Sequence, residues 1–259
     1  MPGSTLSMST STYLETAVSA ALAAGELLRS HFGSALAVNE FAAHDIKLDL
    51  DVRAQELITR HLLERFPDHA LYGEEGIAGN QQSDFQWIVD PIDGTVNYFY
   101  GIPHFCISIA LRERGEIILG VIYDPSRQEL WQVERGGTPT LNGQPIRVST
   151  RDKLSDAVLT IGFSKSIETI TAGLPVLEYF IGRARKCRLM GSAALDLAYV
   201  ACGRLDAYIE SSVSLWDIAA GQLLVEAAGG KVEVQPRKDH PDKLSVRASS
   251  GRLNLEVPL

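Results

Sequence analysis

The stretch Trp87-Ile88-Val89-Asp90-Pro91-Ile92-Asp93-Gly94-Thr95 constrains this chain more than any other. Its apolar approach reads as a buried strand, which then breaks into acid, turn and acid, followed by a glycine and a hydroxyl. Carboxylates at the end of a buried strand repel each other and lose hydration, so they need a proton or a cation. Asp-Pro and Asp-Gly are also common turn dipeptides, and either one alone would read as a turn. Together, after an apolar run and with other acids elsewhere in the chain, they favour a metal site. The donors are hard oxygens with no thiol or imidazole cluster nearby, which selects Mg²⁺ or a close substitute such as Mn²⁺.

At 259 residues, 45% hydrophobic and 22% charged, the chain can bury a substantial core. A formal net charge of −8 disfavours general nucleic-acid binding, which needs a basic face. An acidic protein still binds a phosphorylated small molecule where metal ions reverse the local sign. Cys106, Cys187 and Cys202 are odd in number and lack C-x-x-C spacing, so they read as buried thiols in a reducing compartment. No apolar run approaches a membrane span, and the Ser/Thr-rich start lacks signal-peptide regions. The expectation is a cytoplasmic protein with no membrane partner and a mobile tail over 1–11, with Met8 a second possible start.

Helical spacing predicts helices from Tyr13 to about Phe32 and from Asp51 to Phe66. Ala35 to Leu50 between them reads as a loop or hairpin with acids at Glu40, Asp45 and Asp49. A short strand at Ala70-Leu71-Tyr72 leads into Gly73-Glu74-Glu75-Gly76. Cys106 to Leu111 and Ile117 to Tyr123 read as strands paired around Arg114-Gly115; Glu129 to Glu134 is another strand, and Asn142-Gly143 marks a hairpin turn. Later come a strand from Ala157 to Ile161 and a helix beginning at Leu174, with Pro175 in its first turn. A small-residue helix from Ala193 to Cys202, a strand from Ala207 to Glu210 and a helix from Trp216 to Ala228 complete the pattern. The whole reads as one layered α+β domain over 1–259, with an N-terminal lobe over about 12–147 and a C-terminal lobe over about 148–259.

The acids share one grammar. Glu74 follows a short strand, Asp90 and Asp93 follow another, and Asp51 and Asp217 open helices. Acids in a first helical turn also favour the helix dipole, and spacing leaves both roles open for Asp51 and Asp217.

Trp87 to Tyr100 (WIVDPIDGTVNYFY) and Trp216 to Gly230 (WDIAAGQLLVEAAGG) resemble the two signatures of the inositol monophosphatase family. Gly73-Glu74-Glu75, Gly191-Ser192-Ala193-Ala194 and the stretch from Gly203 to Tyr208 fall in that family's order. The resemblance spans nearly the whole chain. It implies a layered αβαβα sandwich of the inositol monophosphatase and fructose-1,6-bisphosphatase type, usually a homodimer. It also implies Mg²⁺-dependent hydrolysis of phosphate monoesters, often inhibited by Li⁺.

Carried over by motif position, Glu74, Asp90 and the backbone carbonyl of Ile92 would hold a first metal. Asp90, Asp93 and Asp217 would hold a second, and a third would sit near Glu74 largely through water. Paired divalent ions clamp the attacking and leaving oxygens of an in-line displacement and lower the pKa of water. Glu74 and Thr95 would orient that water, with Asp51 in support. The amides of Gly94 and Thr95 would bind the phosphate, and Asp93, Ser164, Ala193 and Glu210 the alcohol.

Val96-Asn97 resembles the inositol branch, where nucleotide-type relatives place a basic residue and then an acid. The resemblance leaves histidinol-phosphatase and fructose-1,6-bisphosphatase activities open, and also a regulatory protein that kept the fold. Arg188 matches a family arginine that would pair with an acid across the dimer or near the site, with a surface salt bridge as the alternative. One region departs from the family: Glu40-Phe41 and Asp45 to Asp51 replace an upstream lysine and a Val-Thr pair, with Leu48 in place of the hydroxyl. That loop contributes to third-metal binding in the family, so it bears on Li⁺ sensitivity and substrate range. His31, His44, His61, His69, His104 and His240 show no metal-like clustering and read as surface or packing residues. Tyr98, Phe99 and Tyr100 read as core and pocket wall.

Overall fold

A computed structural model describes residues 10–34, 36–42, 45–163, 166–238, 240 and 242–256. Residues 1–9, His44 and Ser164 fall outside them, while Thr10 and Ser11, expected in the tail, begin the first helix. The first half runs α1 (Thr10–His31), β1 (Val38–Ala42), β2 (Asp45–Leu48), α2 (Asp49–Arg65), β3 (Ala70–Gly73), β4 (Gly76–Gly79) and β5 (Phe85–Asp93). It continues through α3 (Thr95–Phe99), β6 (Cys106–Glu113), β7 (Glu116–Asp124), β8 (Glu129–Glu134), β9 (Thr140–Leu141) and β10 (Gln144–Pro145). The second half comprises β11 (Val158–Ile161), α4 (Ile167–Ile181), β12 (Lys186–Arg188), α5 (Ala193–Ala201) and β13 (Ala207–Val213). It closes with α6 (Leu215–Ala227), β14 (Lys231–Pro236) and β15 (Leu244–Ser249).

Two sheets organise these elements. One has eight strands in the order β10-β9-β8-β7-β6-β5-β3-β4; the other has five in the order β12-β11-β13-β15-β14. Side-chain alternation sorts the layers. Trp87 and Val89 of β5 face α1 and α2, whereas Ile88 joins Cys106, Ala110, Ile122 and Trp131 on the opposite face. That opposite face packs on α5 and α6, which also pack on Tyr208, Val213, Val246 and Ala248 of the second sheet. α4 covers the far side through Phe180, Leu159, Ile161 and Ile209. The succession helix, sheet, helix, sheet, helix is the layered α+β sandwich expected. The middle helices are small because they lie between two sheets: a side chain at Gly221 of α6 would collide with Leu197 of α5.

Three local readings change. α2 begins at Asp49 rather than Asp51, directly after the hairpin, one of the two expected forms of 35–50, in which β1 pairs antiparallel with β2. α4 begins at Ile167, so Pro175 lies inside it and not in its first turn. Ser166 supplies the start, its hydroxyl accepting from the Thr169 N–H at 3.3 Å. Pro175 and Thr171, whose carbonyl loses the Pro partner, are both exposed, so water can serve that carbonyl. Tyr98 is core, its hydroxyl donating to the Leu28 carbonyl at 2.7 Å, but Tyr100 projects into solvent and none of Tyr98, Phe99 and Tyr100 lines the cleft described next.

Candidate active site

β3 and β5 run parallel, with Gly73 opposite Val89, so both strands end at the same edge. Glu74 continues that register, its N–H donating to the Val89 carbonyl at 3.1 Å, which sets it beside Asp90. The β5–β6 ladder shifts register between Asp90 and Asp93. Pro91 has no N–H to give the ladder, and the resulting bulge re-aims the side chains that follow. The Ile92 N–H turns back to Asp90 Oδ1 at 3.0 Å.

Asp93 lies at the N-terminus of α5. Its carboxylate accepts from Ser192 Oγ at 2.6 Å and from the Ala194 and Ala193 N–H groups at 2.7 and 3.3 Å. Gly94 follows with φ +97, hemmed in by the carbonyls of His104 and Gly191, where a side chain would be both strained and obstructed. Asp217 occupies the third position of α6 and accepts from the Ser214 N–H at 2.6 Å. Asp51 does the same for α2, accepting from the Leu48 N–H at 2.8 Å. Helix starting is therefore a real role for both acids. Only Asp217 also lines the cleft; Asp51 lies buried behind Thr95. The Thr95 hydroxyl donates to the Ile92 carbonyl at 2.9 Å and is 3.5 Å from Asp51 Oδ1.

The cleft has a volume of about 480 Å³ and gathers Glu74, Asp90, Ile92, Asp93, Gly94, Thr95, Ala193, Glu210 and Asp217 in one place. Burial, then the charges of Glu74, Asp93, Asp217 and Asp51, push the Asp90 carboxyl well above its ordinary range. Asp93 is raised to about 6 by burial, against the hydrogen bonds from Ser192 and Ala194. Burial lifts Asp51 to about 8 and Glu210 to about 8. Glu210 accepts from the Tyr208 hydroxyl at 2.6 Å and lies over Gly162, where any side chain would displace it.

Such an array is relieved by protons or by cations. Its oxygen donors, with the Ile92 carbonyl among them, suit a hard divalent ion. Among the described residues no group of three or more His, Cys, Asp or Glu side chains is arranged to hold a metal by itself. Mg²⁺ typically takes one or two carboxylates and fills its shell with water and substrate oxygens, so an open ring of acids fits it better than a closed cage.

Sequence reading assigned no site role to several lining residues, Phe163, Ser192, Asp196, Ser212, Ser214 and Lys243, and took Asn97, which also lines the cleft, only as a mark of the branch. The Asn97 amide donates to the His104 and Met190 carbonyls, each at 2.8 Å, and so ties α3 to the approach of α5. The Arg188 guanidinium donates to the neighbouring Cys187 carbonyl at 3.3 Å, and a pairing across a dimer lies outside a single chain. All three cysteines are free, with Cys106 buried and the other two half-buried. Among the described residues no helix is long and apolar enough to cross a membrane.

Fold and cleft together define a layered α+β protein whose acidic site lies where two sheets and the starts of α3, α5 and α6 meet. The chain belongs to the inositol monophosphatase family, whose profile matches residues 9–255. A protein of Xylella fastidiosa named Nus factor SuhB is 44% identical over 219 residues, covering 83% of this chain and 79% of that one. An inositol-1-monophosphatase of Rhizobium meliloti is 41% identical over 229 residues, covering 86% and 85%. The crystal structure of the extragenic suppressor protein suhB from Bartonella henselae superposes with a TM-score of 0.86 at 35% identity, covering 93% of this chain and 95% of that one.

Proposed function

We propose that the chain is a cytoplasmic Mg²⁺-dependent phosphomonoesterase acting on myo-inositol monophosphate or a similar polyol phosphate. The observation that carries this reading is the convergence of Glu74, Asp90, Asp93, Thr95 and Asp217 on one cleft from three separate stretches of chain. Glu74, Asp90 and the Ile92 carbonyl would hold one cation, and Asp90, Asp93 and Asp217 another. When bound, these ions supply charge neutralisation at the phosphoryl oxygens and a water of lowered pKa.

The chain's own groups do the positioning. Ser192 and the first N–H groups of α5 fix the Asp93 carboxylate, and the Ser214 N–H fixes that of Asp217. The Thr95 hydroxyl, with Asp51 behind it and Glu74 in the same cleft, orients the attacking water and passes its proton on. The Gly94 and Thr95 amides meet the phosphate, and Glu210 and Ala193 meet the alcohol hydroxyls. Ser164 joins them by motif position alone.

Phosphate release from inositol 1-phosphate, histidinol phosphate, fructose 1,6-bisphosphate and 3′-phosphoadenosine 5′-phosphate, each in Mg²⁺ and in EDTA, tests the reading. Turnover is expected on inositol 1-phosphate and is expected to vanish in EDTA. An Asp93→Asn variant is expected to lose on the order of a hundredfold or more in kcat. A folded, metal-loaded protein inert toward the whole panel would overturn it.

Relatives named Nus factor SuhB favour a second reading, a transcription-associated binding role. Asp93→Asn separates the two, since a binding role survives loss of turnover. We also propose a homodimer formed through the outer face of α4. Ile167, Leu174 and Ile181 recur there at a seven-residue interval, two turns apart on one face, and all three are exposed.

A further inference from the structure

Lys243 is the one basic side chain lining the acidic cleft among the described residues. It stands just before β15, with its N–H donating to the His240 carbonyl at 2.9 Å. Its ammonium donates to Ser214 Oγ at 2.6 Å and sits 6.0 Å from the centre of the Trp216 ring. These two contacts hold a long, flexible side chain at the start of α6, in the cleft that Asp217 and Glu210 also line. Its charge also reaches Glu210, opposing the upward shift that burial imposes on that carboxyl. An ammonium has three donors, and Ser214 accepts from one of them. Among the described residues its hydrogen-bond partner is a neutral hydroxyl, an arrangement that keeps charge and donors for something entering the cleft.

We propose that Lys243 binds a second anionic group, a phosphate or carboxylate, carried on the alcohol part of the ester. Through Lys243 the cleft distinguishes polyol phosphates that carry a second anionic group from those that carry only the scissile phosphate. This rests on the phosphatase reading for the ester itself. A lysine present only as counter-charge to the carboxylates would act alike on every substrate, whereas one that reads a second anion acts on one class.

The comparison is inositol 1-phosphate against inositol 1,4-bisphosphate, the same ring with and without a second anion. Lys243→Met keeps the stem on Trp216 and removes the charge; Lys243→Arg restores it. The Met variant is expected to lose about tenfold or more in kcat/KM on the bisphosphate, mainly through KM, and to change by less than about twofold on the monophosphate. The Arg variant is expected to recover most of that loss. Trp216 emission gives a second readout in Mg²⁺ without turnover, because Trp216 lines the cleft whereas Trp87 and Trp131 are buried and do not. Parent protein that binds the bisphosphate more tightly, loses that preference in the Met variant and releases no phosphate upholds Lys243 and overturns the phosphatase reading. Equal losses on both compounds, or no loss on either, overturn the inference itself.

Discussion

Asp51, Asp93 and Glu210 titrate at about 8, about 6 and about 8 in the folded chain, each raised chiefly by burial. A carboxyl raised on folding holds its proton more tightly in the native state. Its contribution to stability is full at low pH and is lost as pH climbs toward the folded value. His104, lowered to about 4 by burial, has the opposite sign, but acts only below the ordinary histidine value of about 6.5. In EDTA the melting temperature is therefore expected to fall between about pH 6.5 and about pH 8, a window set by Asp51 and Glu210. Mg²⁺ is expected to flatten that slope, since a bound cation stabilises the ionised forms. A melting temperature indifferent to pH in EDTA would show that the acids are not under mutual strain. These residues differ in how far the sequence reveals them. Asp90 and Asp93 are legible because acid, proline and acid follow one another along a single strand. Lys243 and Ser192 are not, because each gains its meaning from a contact across distant sequence: Lys243 with Ser214, Ser192 with Asp93.

Among the elements, α4 shows where local reading goes astray. Attention to Pro175 as a first-turn residue hides the stronger start at Ser166, whose cap precedes an ordinary helical run. The same helix carries the proposed dimer face. Leu174→Glu places a charge at the centre of that face and is expected to convert a dimer to a monomer, read by light scattering on a sizing column. A monomeric parent protein would dispose of the interface. α6 is constrained from the other direction. Gly221 lets it lie against Leu197, and Gly221→Val is expected to cost about 1–3 kcal/mol through overpacking, read as a shift in the urea midpoint. Unchanged stability there would mean that the two helices separate more easily than their packing indicates.

For the molecule as a whole, a layered α+β architecture is legible in outline because strand alternation and helical spacing are local signals, whereas the αβαβα order of its layers comes from the family resemblance. The order of strands within each sheet is not legible, since pairing such as β11 with β13 joins stretches with α4, β12 and α5 between them. We propose that the two lobes, over about 12–147 and about 148–259, fold as one domain, because the core around α5 and α6 draws on both sheets. That shared middle layer has a consequence for synthesis. The ribosome releases the whole eight-stranded sheet before it has made α5 or α6. Until Ala193 to Ala227 emerge, Ile88, Cys106, Ala110, Ile122 and Trp131 have no helix to cover them. The nascent chain thus passes through a stage in which half of its finished sheet is an adhesive surface, the point at which a holding chaperone has most to protect.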